Sequence, residues 1–385
     1  MKQKLLRCLQ LVGCTLLVLT LPGCWDYEKI NERAQVIGIA VDPVAGSADR
    51  FRYTFQIPKF GSGDTSEPSQ AGSGPSDAGR SAKFQNYTTE ADGLIDALSK
   101  VQLENDKMFY LSDVEIILVP EKLGREAVRT LVAECMRIPA LDKESFFAVT
   151  TCPAYEMLQG GDGDKAPADE MEHWLGGTMR QVAYSPRVHL WQFWRDLRTP
   201  GIDAHTEVVH KVPNGYRIGG MMLYRFGVPK LQIPPSESLY FNMLTIGVNH
   251  VGIPIPSKPH SFILGNIATS GRHWTTLKGG QATLHARVEI KGKLDRSPGG
   301  REESLTAADL ARLQNTASAY FQQQLADTMK QTQRIGSDPY GFGEWLVDDH
   351  PELEGLIRVK WPILYEKAKR DIRVRVKITQ KGTLV

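Results

Sequence analysis

Cys24 carries the most specific chemistry in this sequence, because Leu21-Pro22-Gly23-Cys24 fits the lipobox at which a thiol accepts a diacylglyceryl group and the chain is cut before the cysteine. The segment ahead of it has the matching layout: Lys2, Lys4 and Arg7, then an apolar run from Leu11 to Leu21, with no acid. That run is 11 residues, whereas a helix needs about 20 to cross the hydrocarbon, so a signal peptide over residues 1–23 is expected and not a permanent span. Acylated Cys24 would then hold the chain on membrane lipid, each buried methylene adding about 0.8 kcal/mol. Trp25 and Asp26 follow at once, and the indole suits the headgroup level. Both are expected to contact the membrane surface or a partner.

Elsewhere the reactive side chains do not assemble into a catalytic set. His205 and His210 lie five apart and His173 follows Glu170 and Glu172, yet no H-E-x-x-H or C-x-x-C completes a metal site. No G-x-S-x-G elbow is present, and Asp162 and Asp164 lack the further ligands and closing Glu of a calcium loop. No catalytic residue, metal or cofactor is nominated, so the expected function is binding. Loss of residues 1–23 removes three cations and takes the formal net charge from +2 to −1, which leaves no basic excess for nucleic acid. Cys135 and Cys152 remain after Cys8 and Cys14 leave with the signal. They could pair outside the cell, or Cys135 could stay a buried thiol on the apolar side of a helix with Leu123, Val128, Leu131 and Val132.

The elements that must position these residues read as an α/β (α+β) protein of three domains, with mixed sheets each packed by helices. Residues 24–198 form the first. Val36–Val41 and Phe51–Ile57 suggest a hairpin of strands around Asp42-Pro43, and Val114–Val119 and Phe146–Thr151 two further strands. Helices are expected near Ala91–Val101, Leu123–Cys135 and Val188–Leu197, the last apolar nearly all round with Trp191 and Trp194. Residues 61–82 hold 13 Gly, Ser or Pro in 22 and predict a flexible loop. A middle β-rich domain, 199–280, is expected to carry short strands at Ile218–Tyr224, Leu239–Val248 and Ile263–Thr269.

In the third domain, 281–385, Ala286, Val288 and Ile290 alternate with Arg287, Glu289 and Lys291 as a strand. Thr306 and Asp309 form a capping box for a long helix lined by Leu310, Leu313, Ala317, Phe321, Leu325 and Met329. Ile372–Thr379 alternates again, so one helix on an antiparallel sheet is expected. Within Asp338–Glu344, Gly341 and Gly343 permit positive φ and close backbone approach, and Phe342 between them predicts a loop pinned into the core.

The lipobox followed by Trp25-Asp26 and Ile30-Asn31, then the strand to Asp42, resembles the Ger(x)C family, the lipoprotein C subunits of GerA-type nutrient germinant receptors of spore-forming bacteria. Tyr110-Leu111-Ser112, Gly219-Gly220-Met221, the Asp338-Pro339-Tyr340-Gly341-Phe342-Gly343-Glu344 stretch, Pro351 and Trp361 extend the similarity from Cys24 to Val385. Lys29 departs from the family's WDxxEIN pattern, which has an acid there. The resemblance implies a lipoprotein on the outer face of the spore inner membrane. Its partners would be a larger A-type membrane subunit and a transporter-like B-type subunit that senses germinant. The alternative is a solute-binding lipoprotein delivering a nutrient to a transporter, which would show two similar lobes around a cleft.

Overall fold

The computed structural model describes residues 33–47, 50–59, 84–160, 165–213, 215–258, 260–296 and 306–381. The signal segment, Cys24, Trp25, Asp26, the 61–82 loop and Asp162 and Asp164 lie outside them.

In chain order the elements begin with β1 (Arg33–Gln35), β2 (Gly38–Pro43), β3 (Phe51–Pro58), β4 (Phe84–Ala91), α1 (Leu94–Gln102), β5 (Met108–Tyr110) and β6 (Ile116–Pro120). Next come α2 (Arg125–Arg137), β7 (Phe146–Thr150), α3 (Ala154–Met157), α4 (Pro167–His173), α5 (Met179–Val182) and α6 (Leu190–Arg198). The chain continues through β8 (His205–Val212), β9 (Gly215–Arg225), β10 (Val228–Ile233), α7 (Pro235–Leu244), β11 (Asn249–Ile255), β12 (Phe262–Lys278) and β13 (Gln281–Arg296). It ends with α8 (Ala307–Arg334), α9 (Phe342–Asp349), α10 (Glu354–Glu366) and β14 (Lys369–Lys381).

Eight strands form one sheet in the order β10-β9-β8-β7-β6-β2-β3-β4. Its centre, β8-β7-β6-β2, is parallel, and antiparallel strands flank it on both sides. Helices cover both faces, which explains why its central strands are continuous apolar runs. On β6, Ile117 and Val119 turn to the side of α1, α2 and α6, while Ile116 and Leu118 turn to the side of α3 and α4. Phe147 and Val149 on β7 split from Phe146 and Ala148 in the same way. The two cysteines follow this division: Cys135 is buried on the α2 side, Cys152 packs on the other face, and both thiols are free.

The strands expected in a middle unit over 199–280 divide between two sheets. β8, β9 and β10 continue the eight-stranded sheet, whereas β11 and β12 belong to a four-stranded sheet of order β11-β12-β13-β14. Leu239–Val248 is not a strand: its first part is the end of α7, and Ser238–Leu244 are all buried. An apolar run buried all round has no period to separate helix from strand. One apolar core joins Met221 and Leu223 of the first sheet to α7, to the second sheet and to α8, α9 and α10.

The C-terminal sheet differs from expectation in one strand direction. β14 runs parallel to β13, with Ala286 opposite Ile372 and Ile290 opposite Val376. The chain between them passes through three helices, long enough to return β14 in the same sense, and a half-exposed strand alternates identically in either direction. The capping box at Thr306 and Asp309 is present, and Leu313, Ala317, Phe321, Leu325 and Met329 are buried. Helix α8 also lies along the β14 edge, where Ser318 Oγ accepts from Val376 N (3.0 Å) and Gln314 Oε1 from Ile378 N (2.9 Å). Edge donors that could recruit a foreign strand are thereby occupied. Among the described residues no helix is long and apolar enough to cross a membrane.

Candidate functional site

Asp338–Glu344 runs from the loop after α8 into the first turn of α9 and packs on the 199–204 segment that leads from α6 into β8. Backbone contacts tie the two: Asp203 N donates to Asp338 O (2.8 Å) and Glu344 N to Gly201 O (3.0 Å). Asp338 N donates to the Asp203 carboxylate (3.0 Å), which also accepts from Phe226 N (3.3 Å). The Asp338 carboxylate in turn accepts from Gly343 N (3.0 Å), Tyr340 N (3.2 Å) and Trp361 Nε1 (2.9 Å). Burial pushes Asp338 up to about 8, against the pull of those donors.

The two expected glycines serve different needs. Gly341 has φ +75°, in the left-handed region, and is the N-cap of α9. Gly343 is required by space instead, since a Cβ there would stand 2.5 Å from Trp361 Nε1 and 2.7 Å from Gly201 Cα. Gly201 (φ +84°) is its counterpart, and a Cβ there would meet the Gly343 carbonyl carbon at 2.2 Å. Phe342 is fully buried, its ring centroid 5.0 Å from that of His273 and 5.7 Å from that of Tyr340, and its carbonyl accepts from Thr275 Oγ1 (2.7 Å). The Pro200-Gly201 dipeptide marks a turn in the sequence, but nothing local signals that it meets Gly343.

A cavity of about 240 Å³ adjoins this joint, bordered by Arg195, Asp196, His205, Asn242, Tyr340 and Glu344 among others. Burial pushes Asp196 up to about 7 although Arg195 pairs with it at 2.7 Å, and holds His205 down at about 4, uncharged near neutral pH. The hydroxyl of Thr245, which also borders the cavity, donates to Phe241 O (3.1 Å). The arrangement positions backbone against backbone.

Of the histidines weighed for metal binding, His210 Nδ1 bonds Thr151 Oγ1 (2.8 Å). Among the described residues no group of three or more His, Cys, Asp or Glu could hold a metal ion. Trp191 and Trp194 are half-buried on α6, with the Arg195 and Arg198 guanidinium groups over their rings.

Comparison with known proteins extends over this whole frame. A family model described as "Spore germination protein N-terminal domain" matches residues 26–211, and one described as "Spore germination B3/ GerAC like, C-terminal" matches residues 229–382. Spore germination protein B3 of Bacillus subtilis (strain 168) is 21% identical over 379 residues, covering 96% of each chain. Spore germination protein KC of the same organism is 19% identical and covers 98% of this chain and 96% of the relative. The crystal structure of the GerBC protein shares the fold, with a TM-score of 0.55 at 15% identity over 89% of this chain and 96% of that one. This chain belongs to the GerAC family of spore germination proteins.

Proposed function

We propose that the protein is the lipid-anchored subunit of a nutrient germinant receptor, held through Cys24 on the outer face of the spore inner membrane. It acts there as a protein-binding scaffold beside a larger membrane subunit and a transporter-like subunit. The observation that carries this reading is the reach of the two family matches: the first begins at residue 26, two residues past Cys24, and ends at 211, and the second runs from 229 to 382. Trp25 and Asp26 then stand at the junction between lipid and folded protein. The Gly341-Phe342-Gly343 motif serves as a joint between the sheets and not as a contact tip, in keeping with the full burial of Phe342.

A solute-binding lobe pair fits less well, because the two sheets differ in strand number and order and share one apolar core where a hinge would be needed. The test is Cys24→Ala. The variant should fold, lose incorporation of labelled palmitate and leave the membrane fraction. Full retention with the membrane would refute the anchor. Co-purification of wild type with the polytopic subunits, absent when they are deleted, tests the scaffold role.

A further inference from the structure

The outer face of the C-terminal sheet carries a charge pattern that packing does not require. Register sets Arg272 of β12, Arg287 of β13 and Arg373 of β14 directly opposite one another in one cross-strand row. The next row is Ser270, Glu289 and Arg375, and the one beyond it Ala268, Lys291 and Lys377. Like charges placed directly opposite on a sheet are destabilising. The helices α7 to α10 pack against the other face, and Arg272, Glu289, Lys291, Arg373, Arg375 and Lys377 are all exposed.

Counter-charge on the face is sparse. Asp371 is shared among Arg287 (2.5 Å), His285 (2.9 Å) and Arg373 (3.4 Å), chiefly the first two of which hold it down at about 2, so one carboxylate serves two of the three arginines. Glu289 is the other acid in these rows. A groove of about 510 Å³ runs across the three strands, bordered by Ser270, Arg272, Arg287, Glu289, Arg373 and Arg375.

The occupant must therefore be anionic, and the surface decides between a protein and a lipid headgroup layer. Protein interfaces take most of their energy from apolar or aromatic anchors seated in packed pockets. The large exposed apolar side chains of the described residues, Phe226 and Val359 among them, lie on other elements. Trp274, the aromatic residue of this face, is half-buried, stacked on His285 (4.9 Å) with the Arg272 and Arg287 guanidinium groups near its ring. A sheet face with cations in successive rows and no anchor matches a diffuse anionic plane, whose attraction acts on each Lys or Arg near the surface.

We propose that this face, centred on the row Arg272, Arg287 and Arg373, rests on anionic phospholipid headgroups and so orients the C-terminal sheet toward the bilayer. The contact does not depend on acylation of Cys24 and is tested without it. The chain from residue 24 with Cys24→Ser keeps every described residue. It should sediment with vesicles containing phosphatidylglycerol, release as salt rises past about 0.3 M because the Debye length shortens, and ignore pure phosphatidylcholine.

The combined variant Arg272→Gln, Arg373→Gln, Arg375→Gln and Lys377→Gln should bind at least about tenfold more weakly, each cation being worth roughly fivefold. Arg272→Lys, Arg373→Lys and Arg375→Lys together should keep binding, which separates charge from misfolding. As a control of equal charge, Arg125→Gln, Arg129→Gln, Arg198→Gln and Arg358→Gln remove four cations around a different depression and should change binding by no more than about twofold. Three results would overturn the proposal: equal binding to neutral vesicles, an equal loss in the control set, or no vesicle binding together with capture of an acidic polypeptide such as polyglutamate, which would assign the face to a protein.

Discussion

The eight-stranded sheet and the four-stranded sheet handle the same kinds of residue in opposite ways. In the first, both faces are under helices, so side chains that alternate along β6 and β7 are apolar in either direction. Carboxyl groups are held there by backbone donors: Asp42 accepts from Ala154 N (2.6 Å) and Tyr155 N (2.8 Å), and Glu207 from Val188 N (3.1 Å). In the second sheet one face is wet, and exposed arginines and lysines stand on it in successive rows with few acids between them. A fully covered sheet allows polar groups that find a partner, while a half-covered sheet leaves its outer face free to be selected for something other than folding.

The joint between the sheets should break hardest. Phe342→Ala removes a fully buried ring from the core that both sheets share, and a loss of roughly 3 to 5 kcal/mol is expected in chemical unfolding. Gly201→Val should damage the same joint, because its Cβ would meet the Gly343 backbone. Unchanged unfolding of the Phe342→Ala protein together with lost assembly would move the residue to a partner contact.

Paired truncations test the contrast itself. Leu118→Ala in β6, fully buried, should cost roughly 2 to 5 kcal/mol. Val374→Ala in the edge strand β14, half-buried against the shared core, should cost about 1 kcal/mol. Equal costs would mean that the helix side of the C-terminal sheet is packed as fully at β14 as the centre of the first sheet is at β6.

A smaller effect distinguishes the sheets by pH. Burial pushes Glu207 up to about 8 from the ordinary 4.5, so the folded state keeps a proton that the unfolded chain has released. Its contribution is full below about pH 4.5 and is lost as pH rises through about 8. Urea unfolding at pH 5 and pH 8 should show a stability decline that Glu207→Gln reduces. An undiminished decline in the variant would place its source elsewhere.

The smallest change is expected on the arginine row. Arg373→Gln relieves the like charge opposite Arg287 at the loss of an exposed contact with Asp371 and should stabilise the protein by no more than about 0.2 to 1 kcal/mol. A destabilisation of similar size in thermal melts would show that the row is already balanced within the protein.

Features encoded by neighbours in the chain were legible from residue types alone. The Thr306 and Asp309 box, the buried stripe of α8, the paired strands β2 and β3, the core position of Cys135 and the positive φ of Gly341 all follow from spacing or from the loss of a Cβ. Less legible was anything whose pattern two structures share. Leu239–Leu244 is apolar without a period, and β14 alternates whether it lies parallel or antiparallel to β13. Gly201 and Asp203 gave no local sign of the joint they complete with Asp338 and Gly343, which lie more than 130 residues away.

By itself, then, the sequence determined which segments are helices or strands with one apolar side, where a stretch of lipobox pattern stands, and which family the order of motifs resembles. The tertiary structure decided that β8 to β10 extend the first sheet, that two glycines from distant segments touch, and that Arg272, Arg287 and Arg373 form one row. Local patterns depend on backbone sterics and the period of burial, which a short window contains. Strand neighbours and backbone contacts depend on which distant surfaces exclude water together, and no window of the chain holds both partners.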